Sequence, residues 1–305
     1  MSDCVLFPAS LSENRARSVW ADKESYLSLA EGTCTLIRPR VQPCGWKRYV
    51  RVGYRNSRFN ESHPISHYSE KVRWALDLLK IPYMEERHVP VFHRLATRKY
   101  GGSSVPVLVT QSGNFTDSTD ILHYLDTLSP ESQRLYPKEP ELRREVEELQ
   151  ALFDARLGAD TRNWGYFYRS GDRKTMRKAW CNGTPQFERV GFEIAFPLIS
   201  AKVRQVYNIT ADSAASSLQG IKEIFEIVDR RLAGGKTYLV GDTISAADIT
   251  FAALTAPILL PPEHPVLVAK IEELPIEMAT VIKELQSTAA GVYALRLYRE
   301  QRPVQ

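Results

Sequence analysis

From Ser69 to Lys80, apolar residues fall at Val72, Ala75, Leu76 and Leu79, the spacing of one helix face. Ile81-Pro82-Tyr83 ends that helix, because a residue before proline is pushed out of the helical region. Met84 to Pro90 reads as a short strand, His93 to Lys99 as a weak helix, and Gly101-Gly102 as a turn. Val105 to Thr110 and Gly113 to Phe115 flank a turn at Gln111-Ser112-Gly113 and predict a hairpin. Asp117 to Leu128 predicts a helix with Ile121, Leu122 and Leu125 inward. The segment ahead of these elements, Arg58-Phe59-Asn60-Glu61-Ser62-His63, is polar and makes a poor central strand. Either Tyr49 to Tyr54, where residues alternate in character, supplies the first strand through a longer loop, or the sheet edge is degraded.

Beyond Ser129-Pro130 the pattern is helical almost throughout. Residues 129–140 form a proline-containing linker. Glu141 to about Tyr168 predicts one long helix with Glu-rich first turns. Phe187 to Tyr207, Ser213 to Leu232, Ser245 to Ala256, Pro275 to Leu285 and Gly291 to Arg299 predict five more. The order β-α-β-α-β-β-α over about 75 residues reads as a small thioredoxin-like α/β domain. The expected fold class is therefore α/β plus all-α: a thioredoxin-like domain over 58–128 followed by an all-helical domain over 141–305.

Composition changes this picture at the N-terminus. Between Gly32 and Asn60 stand Arg38, Arg40, Lys47, Arg48, Arg51, Arg55 and Arg58, with no acidic residue. Such a bias can mark an organellar transit segment, but Asp3, Glu13, Asp22 and Glu24 argue against one. Residues 1–57 are expected to be a poorly ordered extension. Over the whole chain 40 basic residues nearly balance 36 acidic ones, so no nucleic-acid partner is expected. No apolar run approaches the ~20 residues that span a bilayer. Cys4, Cys34, Cys44 and Cys181 fit neither a zinc site nor a paired redox motif, so no metal is expected and the thiols read as reduced.

Several residue groups carry candidate chemistry. Ser66 stands at the turn into the first helix; taken alone it is a capping serine, and Tyr68 and Ser69 share its turn. Val105-Pro106 precedes a strand and, alone, is an ordinary strand-start proline. Asp117-Ser118 opens a helix, where both residue types cap well. Ser245-Ala246-Ala247-Asp248 is a capping box with Asp in the Glu position, and its role reads as structural. Trp164-Gly165-Tyr166-Phe167-Tyr168 clusters aromatics that belong to the core or line an apolar pocket.

In this order and at these distances, Ser66-His67-Tyr68-Ser69-Glu70, Val105-Pro106 and Asp117-Ser118 resemble the glutathione-binding domain of the cytosolic glutathione transferases, of the bacterial-like type with an active-site serine. Ser245 to Asp248 and Gly291 to Arg299 resemble that family's helical domain. The resemblance implies that Ser66 is catalytic and donates a hydrogen bond to the sulfur of glutathione, favouring the thiolate. It implies a cis bond before Pro106, so that Val105 presents its backbone to the cysteinyl unit as an added strand. It implies that Asp117 meets the γ-glutamyl ammonium and Ser118 the carboxylate. Most members carry Glu or Gln where Asp117 stands. The basic residue usual just before the Val-Pro pair is replaced by Ser104, leaving His93, then Arg94 and Arg98, to meet the glycine carboxylate. The family's thiol-exchanging classes place Cys where Ser66 stands, so disulfide exchange has no nucleophile here.

The function implied is conjugation of glutathione to a hydrophobic electrophile, or reduction of an organic hydroperoxide. The alternatives are a non-catalytic binding or interaction module of the same architecture, and a glutathione-dependent isomerase or dehalogenase. The implied partners are glutathione, a small hydrophobic substrate and a second copy in a homodimer. No membrane or nucleic acid is implied. The expected location is cytoplasmic, or organellar if the Arg-rich extension is a transit segment.

Overall fold

The computed structural model describes residues 58–266 and 269–303. The extension at 1–57, with the candidate strand at Tyr49 to Tyr54, lies outside the described residues.

Among the described residues the first strand is β1 (Arg58–Ser62), the segment that composition marks as a poor one. It is followed by α1 (His67–Leu78), β2 (Glu85–Arg87), α2 (Phe92–Arg98), β3 (Val107–Thr110), β4 (Gly113–Phe115) and α3 (Ser118–Thr127). The sheet order is β2-β1-β3-β4, so β1 is an interior strand and not a degraded edge. It runs parallel to β2 and antiparallel to β3, with Phe59 opposite Leu108 and Asn60 opposite Val107. Its last residue, Ser62, shows how a polar side chain is tolerated there. The fully buried Ser62 hydroxyl donates to Glu85 Oε1 at 2.6 Å, and Glu85 is in turn paired with Arg73. Buried polar groups are stable only when partnered in this way.

Helix α1 departs from a simple amphipathic rod. Val72, Ala75 and Leu76 are fully buried, as the spacing predicts. Glu70, Lys71 and Arg73 are also buried, each held by opposite charge. Arg73 bridges Glu70 and Glu85, and Lys71 reaches Asp154 at 2.7 Å.

The second domain is all helix apart from its connections. One continuous rod comprises α4 (Pro140–Leu152), a π-helical turn (Phe153–Leu157) and α5 (Gly158–Arg169). Then come α6 (Arg173–Trp180), α7 (Gln186–Val206), α8 (Ala211–Leu232), α9 (Ala246–Leu259), α10 (Ile276–Ser287) and α11 (Ala289–Gln301). Helix α6 is absent from the sequence expectation. Its eight residues include four basic ones, and only Met176, Ala179 and Trp180 turn inward.

Helix α9 is buried on every side except at Pro257, and α1, α4, α5 and α11 pack around it. It is started by Asp248, which accepts the Ser245 N–H and hydroxyl, each at 2.7 Å, and the Leu239 N–H at 2.9 Å. The Tyr293 hydroxyl of α11 also donates to Asp248. One apolar core therefore runs from Val72 and Leu76 of the first domain through Phe153 and Phe251 to Leu297 of the last helix. A smaller cluster forms around Trp180, Phe192, Phe196 and Ile199.

Candidate functional site

The first domain closes on the second around a cleft of about 330 Å³. Ser66, His93, Val105, Pro106, Asp117 and Ser118, the six residues singled out in the sequence, all line it. They come from three separate places: the turn into α1, the first turn of α2 and the ends that flank the β3–β4 hairpin.

Ser66 is the N-cap of α1. Its oxygen accepts the Ser69 N–H at 3.2 Å, which leaves the hydroxyl hydrogen available to a second partner. Of the two neighbours on its turn, Tyr68 is engaged elsewhere and Ser69 is turned away from the cleft. The Tyr68 hydroxyl donates to the Asp154 carbonyl at 2.8 Å, and burial pushes its phenol up to about 12. Ser69 is fully buried and does not line the cleft.

The π-helical turn of the long rod explains how Tyr68 and His67 are held. A π turn interrupts the regular ladder and leaves carbonyls for other donors. The Asp154 carbonyl takes Tyr68, and the Gly158 carbonyl lies 2.9 Å from His67 Nε2. Burial, aided by Arg162, lowers His67 to about 3, so its imidazole is neutral and Nε2–H donates to Gly158. Gly158 must be glycine for this docking, since a Cβ there would lie 2.2 Å from the Tyr68 hydroxyl. Across the same junction, the Asp154 carboxylate binds Lys71 and accepts the Thr119 hydroxyl at 2.7 Å. The rod thus grips the starts of both α1 and α3.

The Val105–Pro106 bond is cis. Among the described residues, neither the N–H nor the C=O of Val105 enters a hydrogen bond, which leaves an extended segment open to strand-like pairing. Asp117 is the N-cap of α3: one of its oxygens accepts the Thr119 N–H at 2.7 Å and the Asp120 N–H at 3.3 Å. Ser118, next to it, is buried and lines the same cleft, and with the Thr119 and Asp120 N–H groups taken by Asp117, its own N–H is the donor of this helix start left open to an anion. Arg94 and Arg98 are exposed and do not line the cleft, which leaves His93 of the three basic candidates.

Several cleft residues had no signal in the sequence. His63 is buried against Trp180, and burial with the neighbouring His93 lowers its pKa well below the usual value. The aromatic run divides by helical position: Trp164 is core, whereas Tyr166 lines the cleft with Tyr207. Arg162, Tyr166 and Arg169 sit on one face of α5 at i, i+4 and i+7, and all three reach the cleft. Burial lowers Arg169 to about 10, so it remains cationic at neutral pH. Among the described residues, no group of three or more His, Cys, Asp or Glu side chains could hold a metal ion. Cys181 is buried, and burial pushes its thiol up to about 11, far from the character of a reactive thiolate.

The structure thus combines a thioredoxin-like domain and an all-helical domain, with hydroxyls, a helix start and open backbone meeting in one cleft. Residues 62–133 match the family model described as "Glutathione S-transferase, N-terminal domain", and residues 188–272 match "Glutathione S-transferase, C-terminal domain". The two matches, in the family's order, support placing the chain in the glutathione transferase superfamily. No curated protein matches it. Solved structures similar to it include a glutathione S-transferase from Methylobacterium radiotolerans in complex with glutathione sulfonate. It is 18% identical, with 78% of this chain and 94% of that one covered, at a TM-score of 0.47. A glutathione S-transferase from Methylobacillus flagellatus with glutathione bound is 17% identical, with coverages of 82% and 100% and a TM-score of 0.46. The beta-etherase LigF from Sphingobium sp. strain SYK-6 is also 17% identical, with coverages of 79% and 98% and a TM-score of 0.49.

Proposed function

We propose that this protein is a glutathione transferase of the serine type. The observation that carries the reading is the meeting of Ser66, Val105 and Ser118 in one cleft. Glutathione lies extended along Val105, pairing its cysteinyl backbone with the open N–H and C=O. Its γ-glutamyl carboxylate meets Ser118 and the start of α3, its ammonium meets Asp117, and its glycine carboxylate meets His93.

A free thiol of pKa ~8.5 is mostly protonated at pH 7. The Ser66 hydroxyl and the positive end of α1 both favour the thiolate, and the proton leaves to solvent. Ser66 keeps its own proton. The thiolate then attacks an electrophilic carbon. A carbon–sulfur bond forms, the carbon–halogen bond of an aryl halide breaks, and halide departs with the electron pair. Positioning and thiol activation supply the rate enhancement. A hydroperoxide oxygen is the alternative electrophile. We infer a homodimer in the cytoplasm, with sedimentation of the purified chain as the check on its oligomeric state.

The test is retention on immobilised glutathione together with conjugation of 1-chloro-2,4-dinitrobenzene. Retention and turnover together are expected. Retention without turnover would make the protein a binding module, and no retention would reject the glutathione reading.

A further inference from the structure

The helical wall of the cleft has a chemistry that an apolar electrophile does not require. Arg169 is buried to 6% exposure. Its Nε donates to the Gly165 carbonyl at 3.1 Å and one Nη to the Pro257 carbonyl at 2.8 Å. Both partners are neutral. Among the described residues, no carboxylate lies within ion-pair distance of it. Seven residues, nearly two turns, earlier on the same face stands Arg162, half-buried, its guanidinium 4.2 Å from the centre of the Tyr207 ring. Its buried Nε has no hydrogen-bond partner among the described residues, and no carboxylate pairs with it either. The cleft's one acidic group on this rod, Asp154, is taken by Lys71 and Thr119.

Burying a guanidinium without a counter-charge is costly, and residues of this kind are normally paired. Here one buried and one half-buried guanidinium, neither paired with a carboxylate, line one cavity with free donors, beside Tyr166 and Tyr207. Arginine presents a planar fork that matches a carboxylate in two parallel hydrogen bonds. Aromatic walls next to that fork suit a ring.

We propose that Arg162 and Arg169 form an anion subsite for the second substrate, and that the electrophile is an aromatic carboxylic acid. The proposal rests on the transferase reading and sharpens it. The ring lies against Tyr166 and Tyr207, the carboxylate meets the guanidinium groups, and the electrophilic carbon faces the sulfur held near Ser66. The reaction balances as before: the thiolate displaces halide from the ring carbon, and the carboxylate is unchanged.

The experiment compares two probes that differ only in charge, 4-chloro-3-nitrobenzoate and its methyl ester, with the full chain. Each kcat/KM is divided by the uncatalysed rate constant with glutathione, which removes the difference in intrinsic reactivity. Calorimetry with the two corresponding S-aryl glutathione conjugates reads the same subsite independently of turnover. The acid is expected to be preferred over the ester by ten-fold or more in both measurements. Arg162→Met is expected to abolish that preference and Arg162→Lys to retain part of it. Arg169 also ties α5 to α9 through Pro257, so Arg162 is the cleaner position to vary.

Equal affinity for the acid and ester conjugates, with glutathione still bound, overturns this proposal and leaves the transferase reading intact. An Arg162→Met variant that weakens glutathione itself as much as the acid conjugate makes the arginine a glutathione ligand, and also overturns the proposal. Failure of the native chain to bind glutathione overturns the transferase reading and this one with it.

Discussion

At Ser66 a single oxygen has two jobs. It accepts the Ser69 N–H as a helix cap and, on the proposed reading, donates its own hydrogen to the sulfur. Replacing it with alanine removes both, and capping alone is worth about 1 kcal/mol. Ser66→Ala is expected to lower conjugation by about ten-fold, on the order of 1.4 kcal/mol of transition-state stabilisation. It should also raise the pH at which activity rises, since the thiol loses a donor that favours its anion. Retention on immobilised glutathione should persist. Tyr68→Phe is the control on the same turn. Its phenol is committed to the Asp154 carbonyl, so the thiol's pH profile should stay where it is. Stopped-flow absorbance of the thiolate in both variants checks the pair. The meeting of Ser66, Val105 and Ser118 at one cleft is legible in the sequence because each position depends on local chemistry: a cap, an X-Pro bond, a helix start. His63, Arg162 and Arg169 are not. Their meaning comes from α5 and the β1–α1 turn converging across the cleft, which no short-range pattern records.

Among the elements, the π-helical turn sets the shape of the site. It gives the rod carbonyls that hold Tyr68 and His67, and Gly158 lets the Tyr68 ring approach. Gly158→Ala is expected to displace Tyr68, with an overpacking cost of about 1–3 kcal/mol. The measurable results are a lower thermal midpoint and weaker conjugation, since the turn that carries Ser66 shifts with Tyr68. Unchanged values in both would separate that turn from the rod. The pattern of elements is largely visible in the hydrophobic positions, because α1, α3 and α8 carry one apolar face each and α9 is apolar almost throughout. Periodicity fails where burial is polar. Strand β1 is interior although its sequence is RFNES, and α6 has only three buried side chains in eight residues. In both cases tertiary pairing overrides local preference.

The molecule as a whole is laced by a buried ionic chain. Glu85 pairs with Arg73, Arg73 with Glu70, Glu70 with Arg302, and Arg302 with Asp77. This ties β2, α1 and the residue that follows α11 into one unit, beside the bond from Trp74 Nε1 to the Gln301 carbonyl. Removing one partner of a buried pair strands the other, so Arg302→Ala is expected to cost ~3–5 kcal/mol in denaturant unfolding. Burial alone would raise the Glu70 carboxyl, but Arg302, His264 and Arg73 outweigh it and hold the group at about 2, below its ordinary 4.5. A depressed carboxyl binds its proton more readily in the unfolded chain. Its stabilisation is therefore complete above about pH 4.5 and is lost as pH falls toward 2. Urea midpoints measured from pH 6 to pH 3 should fall steeply for the native chain. For Glu70→Gln they should start lower and fall less.

The α4–α5 rod carries more than one duty along its length. Asp154 and Gly158 hold Tyr68 and His67 on the turn that carries Ser66, while Arg162 and Arg169, farther along, line the same cleft. On the proposed reading, nucleophile alignment and electrophile choice are thus mounted on a common beam. Grafting this beam into a relative would transplant both traits together, and separating them would take single changes at its inner positions, not an exchange of the whole helix.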